Sequence, residues 1–243
     1  MKSFLALFCV VISFLAVDTK SEPLIIAAEN DWVPYAKQDG KGMANDIIRA
    51  AFREVGIEIK YHVYPYARVL HYLKSGRYVA GFNVPFDDQS NQHYLLGKTP
   101  LYFAESAYYH HSARPLLIDS RKKLDRKKLI GVVRNYGYGD YYLDLVKWKK
   151  IVPVISNSEL NNIDLLNLGR IDATILYTKT ANFYRKGDRL NRQITKAFSN
   201  EKTPIHLAFS RQHEKGAHFL ALFQQGLNKL IQSGKRDQIL ASY

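Results

Sequence analysis

Residues 43–63, MANDIIRAAFREVGIEIKYHV, change their apolar period halfway along. Met43, Ile47, Ile48, Ala51, Phe52 and Val55 recur every three or four residues, which lays them along one face of a helix. Past Gly56, the residues Ile57, Ile59, Tyr61 and Val63 alternate with Glu58, Lys60 and His62, the pattern of a half-buried strand. Gly56 stands where a left-handed cap closes a helix. Upstream, residues 24–28 form a short apolar strand that runs into a polar loop, 29–42. Downstream, Pro65 ends the second strand, residues 66–74 read as a helix stopped by Gly76, and 78–84 return as a strand. This β-α-β-α-β order predicts a parallel sheet covered by helices.

The pattern restarts further on. Residues 129–133 read as a strand, 135–139 as a glycine-containing turn, 140–147 as a helix and 151–155 as a strand. Ser158 is placed to cap a helix that carries Leu160, Ile163, Leu165 and Leu166 and stops at Gly169 before a strand at 171–176. Between the two blocks lie a strand-like aromatic stretch, 101–112, and the basic run RKKLDRKK at 121–128. After the second block come a strand at 204–209 and a long amphipathic helix at 215–232 with Phe219, Leu222, Phe223, Leu227 and Leu230 on one side. Two similar α/β lobes follow, with the chain returning to the first.

Composition narrows the class. The chain has 243 residues, 47% apolar and 23% charged, which excludes a disordered chain, a collagen or a polytopic membrane protein. Lys2, an apolar run from Phe4 to Val17 broken only by Ser13, and polar residues 18–21 read as a secretory signal peptide over 1–21. The run is shorter than the roughly 20 residues that span a bilayer, so no stable membrane insertion is expected. Cys9, the single cysteine, lies inside it, so the exported chain has no disulfide, thiol nucleophile or cysteine-held zinc. The formal charge is +13, and removal of 1–21 takes Lys2, Lys20 and Asp18 with it and leaves +12. An exported, cysteine-free, basic chain suits a bacterial periplasm.

Enzyme motifs such as G-x-S-x-G, H-E-x-x-H and the phosphate-binding G-x-x-x-x-G-K-[ST] are absent. Neighbours on a strand point to opposite faces, so His110 and His111 do not chelate one ion, and no metal or other cofactor is expected. The basic run lacks interleaved aromatics and reads as a solvated linker, not a nucleic-acid surface. The informative residues follow the strands, because parallel sheets bind ligands beyond the carboxyl ends of their strands. Trp32 and Tyr35 flank Pro34 after the first strand, Tyr66 and Arg68 follow the second, and Asn83 closes the third. In the second block Arg134, Tyr136 and Tyr138 follow its first strand, and Tyr177 its last. Aromatic faces with a few fixed polar groups suit a small organic ligand.

The ordered motifs Trp32-x-Pro34-Tyr35, Gly42 before a helix, Tyr64-Pro65-Tyr66-Ala67-Arg68-Val69-Leu70, Leu73-x-x-Gly76 and Leu166-x-x-Gly169-Arg170-Ile171-Asp172-Ala173, followed by Ile205 to Ser210, resemble bacterial extracellular solute-binding protein family 3. The resemblance covers almost all of the chain after the signal. It implies a type II periplasmic binding protein fold: two α/β lobes, 22–109 plus 207–243 and 110–206, joined by two hinge strands near 108–112 and 203–207. It also implies a small-molecule ligand in the cleft between them, a monomer, and an ABC transporter permease as partner. Amino-acid binders of the family place an Arg after the third strand and an Asp at the end of the second lobe's last strand. Here residues 85–91 hold no Arg and the latter place is Tyr177. The expected solute is therefore not an ordinary amino acid but an aromatic, neutral or anionic one, met by Arg68, Arg134 and the backbone of 135–139. Two rival readings are an enzyme similar to cyclohexadienyl dehydratases, with Glu29, Asp31 or Asp87 at the cleft rim, and a ligand-sensing or interaction module.

Overall fold

The computed structural model describes residues 22–125 and 127–243; the expected signal peptide and Cys9 lie outside the described residues. The first block is β1 (Leu24–Glu29), the small hairpin β2 (Asp31–Trp32) and β3 (Ala36–Lys37), α1 (Met43–Arg53), β4 (Ile59–Tyr64), α2 (Tyr66–Lys74) and β5 (Ala80–Pro85). α3 (Asp88–His93), β6 (Tyr94–Leu96) and the long β7 (Tyr102–His111) lead to the second block. That block is β8 (Lys128–Val133), α4 (Asp140–Lys147), β9 (Ile151–Ser156), α5 (Glu159–Asn167), β10 (Ala173–Tyr177) and α6 (Thr178–Lys186). The chain ends with β11 (Ile194–Ser210), α7 (Gly216–Gln232) and α8 (Lys235–Ala241).

The strand order is β4-β1-β5-β11-β7-β10-β8-β9, with β6 on β11. β1 runs parallel to β4 and β5, and β8 runs parallel to β9 and β10. The two parallel groups are joined by β7 and β11, which pair antiparallel along most of their length. β5 pairs β11 from Ile205 onward, and β10 pairs β7 at Ser106 to Tyr109. The chain thus passes twice between the groups, where Ala104 faces Thr203 and Glu105 faces Lys202. In this ladder Tyr108 faces Phe198, so the two segments read as hinge strands share one ladder but do not stand opposite each other.

Packing explains the apolar runs. Ile26 and Ala28 of β1 share a core with Ile47, Ile48 and Phe52 of α1, while Ala27 turns to Val69 and Leu73 of α2. A strand covered on both faces reads as continuous apolar sequence. Phe223 of α7 meets Phe52 with ring centroids 5.1 Å apart, bringing the C-terminal helix back onto the first block.

Three helices and half a strand escape a pattern reading. α3 and α6, DQSNQH and TKTANFYRK, lack an apolar period. Asp87 starts α3 by accepting from the Ser90 N–H at 2.7 Å. α8 is a single short element after α7. The first half of β11 loses its alternation because the ladder slips between Lys196 and Phe198 and again between Ser199 and Glu201. His110 and His111 serve the turn after β7: Nδ1 of His111 accepts from Ala113 N and Nδ1 of His110 from Leu116 N. No helix among the described residues is long and apolar enough to cross a membrane.

Candidate functional site

The site begins at the carboxyl end of β1. Glu29 ends this strand, and the chain turns at once into the β2–β3 hairpin that carries Trp32 and Tyr35. The hairpin is held from behind by α1, whose first free N–H groups, Met43 and Ala44, donate to the carbonyls of Pro34 (3.1 Å) and Tyr35 (2.9 Å). Tyr35 stacks on Tyr102 of β7 at 5.1 Å and meets Trp32 at 4.3 Å. Trp32 in turn packs edge-on against Tyr177 at 4.6 Å and against Tyr136 at 5.6 Å, both from the second block.

Asn83 locks the floor. It sits at φ 67°, a left-handed conformation that Asn tolerates better than most side chains. Its Nδ2 donates to Glu29 Oε2 (3.0 Å), its Oδ1 accepts from Tyr102 OH (2.7 Å), and its carbonyl accepts from Tyr66 OH (3.2 Å). From the other side Tyr136 OH donates to Glu29 Oε1 (2.8 Å) and lies 3.0 Å from the Asp31 carbonyl. Glu29 is thus a point where a side-chain hydrogen bond joins the first block to the second.

The second block builds its wall from the turn after β8 and the end of β10. Tyr138 OH accepts from Val133 N (2.8 Å), and Tyr177 OH donates to the Gly137 carbonyl (2.5 Å), which ties the turn to β10. Ser158 caps α5 by accepting from Asn161 N, and the next residue, Glu159, accepts the Tyr177 N–H at 3.1 Å. A carboxyl therefore stands at the end of β10 after all, but it comes from α5 and lies behind Tyr177.

Glu29 and Glu159 are 1% and 4% exposed. Burial pushes the Glu29 carboxyl up to about 7, against the lowering pull of its bonds to Asn83 and Tyr136, and the nearby Asp31 adds to the rise. Burial likewise pushes Glu159 up to about 8, opposed by the Tyr177 N–H and reinforced by Asp31 and Glu29. The hydroxyls of Tyr66, Tyr102, Tyr136, Tyr138 and Tyr177 are held well above the ordinary tyrosine range by burial, so they remain protonated at neutral pH.

Between these walls is a cavity of about 10 Å³, lined by Glu29, Trp32, Tyr66, Asn83, Pro85, Tyr136, Gly137, Tyr177 and Ile205. This is room for barely one water. It adjoins an open groove of about 470 Å³ that shares Tyr66, Pro85, Tyr136 and Gly137 and reaches Asp87, Tyr94 and Tyr138. Of the residues singled out from sequence, Trp32, Tyr66, Asn83, Tyr136 and Tyr177 converge on the cavity, Tyr138 lines the groove, and Tyr35 backs Trp32.

Arg68 and Arg134 do not join them. Both are exposed and line neither space. On α2 the inward face is taken by Tyr66, Val69 and Leu73, which leaves Arg68 in solvent, where its guanidinium keeps its hydration. Arg134 continues the β8–β9 ladder through its N–H to Ser156 O, with its side chain outside the cleft. The expected cationic contacts to an anionic solute are therefore absent from the lining. The sequence reading missed Glu159, which looks like an ordinary acidic first-turn residue, and Tyr102, whose role depends on long-range strand pairing. It placed Glu29 at the rim, whereas the structure buries it on the floor.

Tyr136→Phe removes the only hydrogen bond described between Glu29 and the second block. The expected result is a loss of about 1 kcal/mol and titration of Glu29 above its present value, because a donor that favours the carboxylate is gone. Carboxyl-resolved NMR titration checks this, and an unchanged Glu29 midpoint would refute it.

No family model matches the sequence, and no curated relative matches it. Among solved structures, the chain is similar to a histidine kinase sensor domain itself described as similar to periplasmic binding proteins (TM-score 0.79, 18% identity, 91% of this chain and 96% of that one). It is also similar to an ancestral arginine-binding protein bound to arginine (TM-score 0.77, 17% identity, 91% and 97%). A third is the arginine-, lysine- and histidine-binding protein ArtJ from Geobacillus stearothermophilus (TM-score 0.74, 20% identity, 91% and 95%). Together with two parallel strand groups joined by a doubly crossing antiparallel pair, these likenesses give the chain the two-lobed fold of the periplasmic binding proteins.

Proposed function

We propose that this protein is a periplasmic solute-binding protein that captures a small organic molecule between its two lobes and delivers it to an ABC importer. One observation carries this reading: the cavity is walled by residues from both parallel groups, each at or just beyond the carboxyl end of a strand, with Ile205 of the crossing strand at its base. The cavity as it stands is too small for such a molecule, so a solute enters with the lobes apart and, touching both groups at once, its binding energy favours closure about the crossing strands. The lobes taken to move are 22–109 plus 207–243 and 110–206. The groove beside the cavity is the entry side, since it shares four lining residues with it. Similar solved structures include amino-acid-binding and ABC-transporter substrate-binding proteins. The site's hydrogen bonds and aromatic contacts suit binding without covalent chemistry.

Thermal-shift screening of the exported chain against amino acids, amines, organic acids and sugars tests the proposal. A ligand at 100 times its Kd stabilises the native state by about 2.7 kcal/mol. The expected result is a rise in Tm with at least one class that is lost in Trp32→Ala and Tyr177→Ala. A flat response across the panel would overturn the reading.

A further inference from the structure

We infer that the solute is a small organic cation bearing a neutral oxygen acceptor, in the manner of an amino alcohol, held by Glu29 and the faces of Trp32, Tyr136 and Tyr177. The inference rests on the solute-binding reading and names the ligand class of that site.

Three observations converge on it. First, the one ionisable carboxyl lining the cavity, Glu29, is bonded only by neutral donors, Asn83 Nδ2 and Tyr136 OH, among the described residues. The titratable groups that face it are Asp31 from its own loop, Tyr66 from α2, Tyr102 from β7, Tyr136 after β8, Tyr177 at the end of β10 and Glu159 from α5. All are acids in their titration chemistry, and no Lys or Arg lines the cavity among the described residues. Second, Trp32, Tyr136 and Tyr177 pack around one another with centroids 4.6 to 6.3 Å apart. Aromatic faces carry negative quadrupole potential and attract cations. Third, the Trp32 indole N–H is buried and without a partner among the described residues, while its ring lines the cavity. Such a donor calls for an oxygen acceptor.

The same features reject the alternatives. A carboxylate in this cavity would be stripped of water beside Glu29 and Asp31 with no cation to meet it, an arrangement that costs several kcal/mol. A zwitterionic amino acid carries that carboxylate along with its ammonium. A cation, by contrast, supplies the missing counter-charge, and on binding it displaces the proton from Glu29. Affinity should therefore fall as pH drops below the Glu29 midpoint of about 7.

Isothermal titration with two matched series separates the charge classes on a constant skeleton. The aliphatic series is leucinol, leucine and 2-hydroxy-4-methylpentanoate; the aromatic series is phenylalaninol, phenylalanine and phenyllactate. The expected result is that an amino alcohol binds at least tenfold tighter than its amino acid and hydroxy acid. Its affinity should fall about fivefold from pH 7 to pH 6 in the wild type, as the deprotonated fraction of a group with its midpoint near 7 falls, with proton release seen as a dependence of the heat on buffer. Glu29→Gln should lose at least tenfold and flatten the pH dependence, and Trp32→Phe should weaken binding several-fold. If leucine, phenylalanine or a hydroxy acid binds more tightly in the cleft, with sensitivity to Trp32→Ala, the cation assignment falls and solute capture stands. If none of the six binds and the broader thermal-shift panel is also flat, both fall.

Discussion

At pH 9, Glu29→Gln is expected to be more stable than the wild type by about 3 kcal/mol, and at pH 4.5 the two should be nearly equal. The carboxyl is raised from 4.5 to about 7 in the fold. Below about pH 4.5 both the folded and unfolded chains hold the proton, so its contribution is fully present there. Between pH 4.5 and 7 the unfolded chain releases the proton while the folded chain keeps it, and stability falls by about 1.4 kcal/mol per pH unit. Above 7 the loss is complete. Glu159, raised to about 8, follows the same sign through a window that extends higher. Glutamine keeps the shape of the protonated acid and cannot ionise, so it removes the slope. For a domain of this size 1 kcal/mol corresponds to about 2–4 °C, which makes the difference at pH 9 on the order of 8 °C. Thermal melts of wild type, Glu29→Gln and Glu159→Gln at pH 4.5 and 9 read it directly. A difference between wild type and variants that does not change with pH would show that these carboxyls ionise in the fold as freely as in water.

Gly42→Ala is expected to cost about 4 kcal/mol and to loosen the cleft. Gly42 has φ 142° and ψ 168°, a region that side-chain-bearing residues essentially avoid. A Cβ there would strike the Tyr35 carbonyl oxygen and would lie 2.7 Å from its carbon and 2.8 Å from Ala36 Cα. These are backbone atoms of the hairpin that presents Trp32 and Tyr35, so relief comes only by moving the site. Gly56→Ala serves as the control. It also lies at positive φ, 73°, but nothing stands within 4 Å of the added Cβ. Its cost is therefore limited to conformational strain of about 1–2 kcal/mol. Denaturant melts of the two variants should separate by 2 kcal/mol or more; equal losses would mean that the hairpin yields to the methyl group freely.

The sequence by itself determined the alternation of strands and helices in each block, because those elements bury one face or both, and burial writes a period of two, a period of 3.6 or an unbroken apolar run into the chain. Residues 43–63 show this directly: the period changes at Gly56, and the structure ends α1 and begins β4 around that point. Trp32, Tyr66, Asn83, Tyr136 and Tyr177 were legible as site candidates for a related reason. They follow strands whose direction in a parallel sheet fixes where their ends meet.

What only the tertiary structure decided is which charges enter the cleft. Arg68, Arg134, Glu29 and Glu159 all stand near strand ends in the sequence, and nothing local distinguishes an arginine turned to solvent from a glutamate turned inward. α2 spends its inward face on Tyr66, Val69 and Leu73, so Arg68 is left outside. The end of β1 is covered by the opposite half of the chain, so Glu29 is sealed beneath Tyr136, 107 residues away. Glu159 is recruited by the backbone of Tyr177, 18 residues further on. Ionic character is settled by which groups lose their water, and that loss is a property of the assembled surfaces, not of the local pattern that forms them.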